Sequence, residues 1–375
     1  MDLPDLTRSA SRAQRGTGVA RRDFLRLGGL AVGGSVLVAA CNSGSSSSGN
    51  VSLTMFIWSG DQATEPRKAV ASFEKSNPDV SVTFIEGTNA TTFPQLVASV
   101  QADPNKPLLN LGFFNAQSFA EGSDIWSPIT TADVPNVANV LSQYKVSSGL
   151  GAYMVMDAMG IVYNKKLVKS APTSWMDLFD SAYKGKVTTW DAPEFSVNAL
   201  PVISILNGGS SSNLDPGIKI FAQAAKNGQF LDLISSLSEL QQQLTTGQVA
   251  LAPGFQGVVE PWLESNSDLG FAVPKEGVMA LPEGFQLVKG SSTGQLAAAR
   301  KIMNQMLSPS VVSAYCAATA TIPLVNGVTL PAKFADRPSF QLATVEKAIQ
   351  LDWSALASVT QKYTTVWNDQ VKANL

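Results

Sequence analysis

From Val51 onward the chain alternates short β-branched or aromatic runs with stretches of helical period, a pattern best satisfied by a sheet covered with helices. Strands are expected at 51–58, 80–85 and 108–114, with helices around 65–75 and 93–101 between them. Asn77-Pro78-Asp79 breaks the first helix from the second strand. A second alternating unit opens near Asp157, with strands at 161–163 and 186–190 and helices at 175–181 and 197–206. Helices near 218–226 and 231–244, a strand at 248–251, a helix near 258–265 and short strands at 269–273 and 285–288 follow. Helical repeats resume at 296–307, 311–320 and 354–371. The alternation predicts an α/β fold with a mostly parallel sheet.

At 375 residues the chain exceeds what one hydrophobic core supports, so two lobes are expected. Hydrophobic residues at 45% and charged residues at 15% suit a well-packed globular body. The net charge of −2, with no basic run interleaved with aromatics beyond residue 26, argues against nucleic acid as a partner.

The first 40 residues read as an export signal. Arg8, Arg12 and Arg15 lead to Arg21-Arg22-Asp23-Phe24-Leu25-Arg26, and the weakly apolar run at 27–40 is too short and too glycine-rich to span a bilayer. The paired arginines resemble a twin-arginine signal, with Ala20 where Ser or Thr is usual. Val38-Ala39-Ala40-Cys41 resembles a bacterial lipobox, which would make Cys41 an acylated mature N-terminus. Residues 41–50, nearly all Ser and Gly after Cys41, form a tether. Removing residues 1–40 leaves 21 basic against 26 acidic side chains, a balance mildly suited to cationic ligands. Cys316, among alanines, is expected to be a small core residue.

The chain has no histidine, which removes the commonest general base and zinc ligand. Gly290-Ser291-Ser292-Thr293-Gly294 fits a nucleophile-elbow pattern, but without a histidine it reads as a helix cap. No phosphate loop, calcium loop or cysteine cluster is present, so neither catalysis nor a cofactor or metal is expected. The stretch 186–190 is a short strand that ends beside two carboxylates, Asp191 and Glu194, and ligands bind beyond the carboxyl ends of strands in open α/β sheets. The alternative is that Asp191 caps a helix beginning near Phe195.

Gly160-Ile161-Val162-Tyr163-Asn164-Lys165, Ala171-Pro172-Thr173-Ser174-Trp175-Met176-Asp177-Leu178-Phe179 and Tyr183-Lys184-Gly185-Lys186-Val187 closely resemble extracellular solute-binding proteins of bacterial ABC importers. Gly247-Gln248-Val249-Ala250-Leu251-Ala252 and Val273-Pro274-Lys275-Glu276-Gly277 extend the likeness, which is nearest to the spermidine/putrescine-binding branch. The resemblance implies a two-lobed, type II periplasmic-binding-protein-like fold with crossing strands and a ligand cleft between the lobes. Lobe one would be 51–156 with 282–330, and lobe two 157–281 with 331–375. It implies a non-enzymatic, extracytoplasmic monomer, anchored by Cys41, that captures a small cationic amine or polyamine and delivers it to ABC permease subunits. A sugar or organophosphate is the alternative ligand, and a secreted enzyme on this fold the rival class.

Carried over residue by residue, Asp191 and Glu194 match the acidic pair that holds ammonium groups, Trp58 a stacking tryptophan and Phe255 another aromatic position. Glu283 stands where the branch has an Asp. Asp61, Asn115 and Gln117 occupy positions where Tyr, Ser and Tyr are expected, Ile322 replaces a Tyr and Leu281 a Trp, so the pocket is more polar than a spermidine site. Asp157, at the crossing strand, is a candidate added carboxylate. The structural alternatives are a helix cap for Asp61, a hinge hydrogen bond for Asp157 and core packing for Trp58 and Phe255.

Overall fold

A computed structural model describes residues 50–146, 148–191, 195–334 and 337–375. The export signal, Cys41, most of the tether and Glu194 lie outside the described residues.

The strands are β1 (Val51–Trp58), β2 (Val80–Gly87), β3 (Leu111–Asn115), β4 (Trp126–Ser127), β5 (Ala152–Asn164), β6 (Val187–Trp190), β7 (Phe230–Ile234), β8 (Leu251–Phe255), β9 (Leu269–Ala272), β10 (Met279–Val288) and β11 (Ile322–Pro323). The helices are α1 (Asp61–Ser76), α2 (Asn89–Ala102), α3 (Ala116–Glu121), α4 (Leu200–Leu206), α5 (Asp215–Lys226), α6 (Leu237–Thr246), α7 (Gln256–Ser265), α8 (Thr293–Met306), α9 (Pro309–Thr319), α10 (Leu342–Glu346) and α11 (Trp353–Gln370). None of the described helices is long and apolar enough to cross a membrane.

The main path of the sheet runs β2-β1-β3-β10-β5-β8-β6-β7. Its two wings are parallel, β2-β1-β3 and β8-β6-β7, as the alternation predicts. Its centre is antiparallel, because β10 runs against β3 and β5, and β5 against β8 and β9. The sheet is therefore mixed rather than mostly parallel: a buried apolar run shows that a strand is present but does not encode its direction.

β5 and β10 join two hydrophobic cores and so make the fold two-lobed. Val155, Met156 and Ala158 of β5 bury in one core, and Met159 and Ile161 in the other. On β10, Ala280 belongs to the first core and Met279 and Leu281 to the second. Leu53, Met55 and Ile57 of β1 face the first core while Phe56 packs against Phe114 on the other face, the period-two burial of a strand covered on both sides.

The strand expected at 248–251 falls instead at Leu251–Phe255, and two further segments form a different element from the one expected. The stretch 231–244 is not one helix: Phe230 and Ile234 bury while Leu231 stays 45% exposed, the strand pairs with β6, and Ser236 caps a new helix. The stretch 175–181 forms 3₁₀ turns at Trp175–Phe179 and Ser181–Tyr183. The first is fixed by a capping box between Ser174 and Asp177 and by Trp175 Nε1 donating to the Gly277 carbonyl at 2.8 Å. Glu276 completes the clasp, accepting from Ser174 Oγ at 2.6 Å and from the Trp175 amide at 3.3 Å. Ser292, in the nucleophile-like segment, caps α8 through a reciprocal box with Gln295.

Candidate functional site

The crossing strands place two acidic side chains side by side. Leu281 on β10 is the register partner of Asp157 on β5, and Glu283 lies two residues further along β10, so Asp157 and Glu283 share one face of the sheet. A bulge follows between Glu283 and Gly284. A methyl group on Gly284 would lie 1.9 Å from the Ala152 carbonyl, so only glycine lets the strands pass here.

Both carboxylates are buried, Asp157 8% and Glu283 4% exposed. Asp157 Oδ1 accepts from its neighbour's amide at Ala158, 2.8 Å away, and from the Gly257 amide in the first turn of α7, 3.0 Å away. Burial pushes its carboxyl up to about 7, although those two donors oppose the rise. Burial, with the Asp157 charge added, pushes Glu283 up to about 8. Glu283 has no hydrogen-bond or ion-pair partner among the described residues. Tyr315 of α9, raised by burial and then by Glu283, donates its hydroxyl to Gln62 at 3.1 Å. A methyl group on Gly257 would meet Asp157 Oδ2 and the Thr319 carbonyl, each at 2.9 Å, so the close approach of α7 to Asp157 requires glycine.

These groups line a cavity of about 450 Å³. Its lining comes from the first turn of α1, the end of α9, α6, α7, Lys333 and Phe334. Five carboxylates line it: Asp61, Asp157, Glu260, Glu264 and Glu283. Two have cationic partners. Arg337 Nε donates to Glu260 Oε1 at 2.8 Å and its Nη2 lies 2.6 Å from the same oxygen, while Lys333 Nζ donates to Glu264 at 2.8 Å. Asp61, Asp157 and Glu283 have none among the described residues. No group of three or more His, Cys, Asp or Glu side chains among the described residues could hold a metal ion.

Residues 68–342 match the family of bacterial extracellular solute-binding proteins. The chain belongs to that family. Over 261 residues this solute-binding protein is 22% identical to a protein of Salmonella typhimurium named for binding 2-aminoethylphosphonate in the periplasm, a match covering 68% of this chain and 66% of the relative, just under two thirds of its length. Among solved structures it is similar to an ABC transporter structure from Clostridium perfringens, with a TM-score of 0.72, 17% identity, and coverage of 85% of this chain and 99% of the other. It is also similar to the spermidine/putrescine ABC transporter substrate-binding protein of Streptococcus pneumoniae, with a TM-score of 0.66, 15% identity, and coverage of 84% and 99%. These likenesses agree with the two-lobed, type II architecture built above.

Of the candidate ligand residues, the solute-binding protein brings Asp61, Asp157 and Glu283 together in the cavity. Trp58 stands next to cavity-lining Ser59, but its indole Nε1 donates to the Phe113 carbonyl at 3.2 Å and its ring packs between two cores. Phe255 ends β8 with its ring in the second core. Asn115 pairs with Glu283 in the sheet register, and its side chain caps α3 by accepting from Ser118 at 3.1 Å. Gln117 donates to Glu121 on the same helix at 2.8 Å. Asp191 lies just past the end of β6, is not among the cavity-lining residues, and forms an ion pair with Lys372 beyond α11. The lining residues missed by sequence reasoning include Gln241, Glu260, Trp262, Glu264 and Lys333. The four-residue spacing of Glu260 and Glu264 could have put both on one face of α7, but nothing local signals that residues 333 and 337 return to neutralise them.

Proposed function

We propose that this protein is the substrate-binding component of an ABC importer and that its cavity captures a small organic cation, an amine or polyamine. Capture would close lobe one (51–156 with 282–330) on lobe two (157–281 with 331–375) and deliver the solute to permease subunits. The observation that carries the ligand class is the charge of the cavity: Asp61, Asp157 and Glu283 line it without a cationic partner among the described residues. An ammonium seated there gains charge-assisted hydrogen bonds of about 1.5–3 kcal/mol each, whereas a lone anion meets uncompensated like charge at a cost of several kcal/mol. The family membership and the architecture support the transport role. In this reading the protein is a monomer without turnover of its own, held outside the membrane by acylated Cys41 and the tether at 41–50.

A second reading is favoured by the Salmonella relative's named ligand, which carries an ammonium and a phosphonate. The first turn of α1 borders the cavity with Gly60 at its N-cap and no side-chain cap, so its leading amides suit an anionic group. Calorimetry with putrescine, spermidine, 2-aminoethylphosphonate, ethylphosphonate and a neutral hexose separates the possibilities. Amine-bearing solutes should bind and the other two should not. Tightest binding of 2-aminoethylphosphonate would select the second reading, and binding of ethylphosphonate or the hexose alone would overturn the cationic assignment.

A further inference from the structure

Asp157 and Glu283 present an electrostatic problem that no neighbour among the described residues solves. They are adjacent on one face of the two crossing strands, both are more than nine-tenths buried, and both border the cavity. The charged and titratable groups packed around them do not offer compensation. Gln62 and Asp61 come from α1, and Tyr315 and Cys316 from α9, where the Tyr315 hydroxyl is turned to Gln62. On α7, Glu260 is committed to Arg337 and Glu264 to Lys333. Among the described residues the donors reaching the pair are the Ala158 and Gly257 amides, and both go to Asp157 Oδ1. Two like charges held together in a site of low dielectric repel strongly, and a carboxyl pair so placed keeps a proton.

We propose that Asp157 and Glu283 form one seat for a single ammonium group, protonated while empty, that releases its proton to solvent when the ammonium enters. The idea rests on the cationic reading of the cavity and adds a linkage to it: capture is an exchange of a proton for an alkylammonium. The displacement of both carboxyls above the ordinary carboxylate range, by burial first and mutual charge second, agrees with the geometry. The sign follows directly. At acid pH the ligand must displace bound protons, so affinity is low; it rises about tenfold per pH unit while one proton is released, and levels off once the empty pair is ionised. The exchange also ties proton release to charge, because only a cation can balance the carboxylate that the departing proton leaves behind.

The test has a ligand-free arm and a ligand arm. Without ligand, a carboxyl raised in the folded state stabilises the fold at low pH and loses that contribution as pH rises through the folded value. The wild-type unfolding midpoint should therefore fall between about pH 5 and pH 8, and Glu283→Gln should flatten the fall. Infrared spectroscopy of the wild-type protein at pH 7 should show a protonated carboxyl band, which keeps the test open if the variant folds poorly. With ligand, calorimetry of putrescine and 2-aminoethylphosphonate in buffers of different ionisation enthalpy should give release of about one proton near pH 7, shrinking as pH rises toward the point where the free amines themselves begin to lose protons. Binding with a buffer-independent enthalpy at pH 7, or no protonated carboxyl band, would overturn the exchange alone. Absence of binding by every amine would overturn the cationic reading and the exchange with it.

Discussion

Asp191 shows at the scale of one residue how a charge is claimed by its surroundings. Its carboxylate lies beyond the end of β6, as expected of a ligand-binding position, yet the alkylammonium it meets is Lys372 of the same chain. The lysine side chain is 53% exposed and the aspartate 22%, so the pair contributes at most about 1 kcal/mol in solvent. Asp191→Asn should therefore lower stability to chemical denaturation by less than about 1 kcal/mol and leave solute affinity within twofold of wild type by calorimetry. A large loss of affinity with unchanged stability would return Asp191 to the ligand site. Gly257 is the opposite case, a residue without a side chain that decides the site. In Gly257→Ala the new methyl would press on Asp157 and the Thr319 carbonyl, with an expected loss of about 1–3 kcal/mol in unfolding free energy and weaker solute binding.

Among the elements, the clasp between the Trp175 turn and the 274–277 loop explains why both segments stand out in the sequence. Ser174 and Trp175 reach Glu276 and Gly277 across about a hundred residues of chain, and Trp175 is fully buried where they meet. Glu276→Ala removes acceptors from two donors and should cost about 1–3 kcal/mol, read as a lower denaturation midpoint with ligand stoichiometry unchanged. These segments were legible as motifs because they concentrate Pro, Gly and capping residues, whose local chemistry is strong. What was not legible depends on distant partners. The 230–234 strand resembles the start of a helix until β6 is beside it, and the antiparallel sense of β5 and β10 leaves no trace in their apolar runs. The site divides in the same way. Asp157 was identifiable as a carboxylate at a crossing strand and Glu283 by its likeness to a family position, but their register and the neutralisation of Glu260 by Arg337 belong to the assembled fold.

For the whole molecule, the cavity draws its lining from α1 and α9 and from α6 and α7, so in the capture proposed above lobe closure would enclose the solute between them. On that proposal ligand would shift the population toward the closed state by its differential affinity for it. Small-angle scattering with saturating amine should show a reduced radius of gyration, and an unchanged radius with confirmed binding would count against closure. The strand order also constrains how the chain is made. β3 pairs with β1 early in the chain, but its other neighbour is β10, which the ribosome supplies only after the whole second α/β unit has emerged. Until then the nascent first lobe carries a bare apolar sheet edge, since all five residues of β3 are buried in the finished fold. Ribosome-bound chains stalled before β10 has emerged should consequently be cleaved rapidly within the first lobe by added protease, whereas chains stalled after residue 330 has emerged should be protected there. The lobe begun first thus waits on the second, and a cell making this protein must shield that edge while residues 116–278 are made.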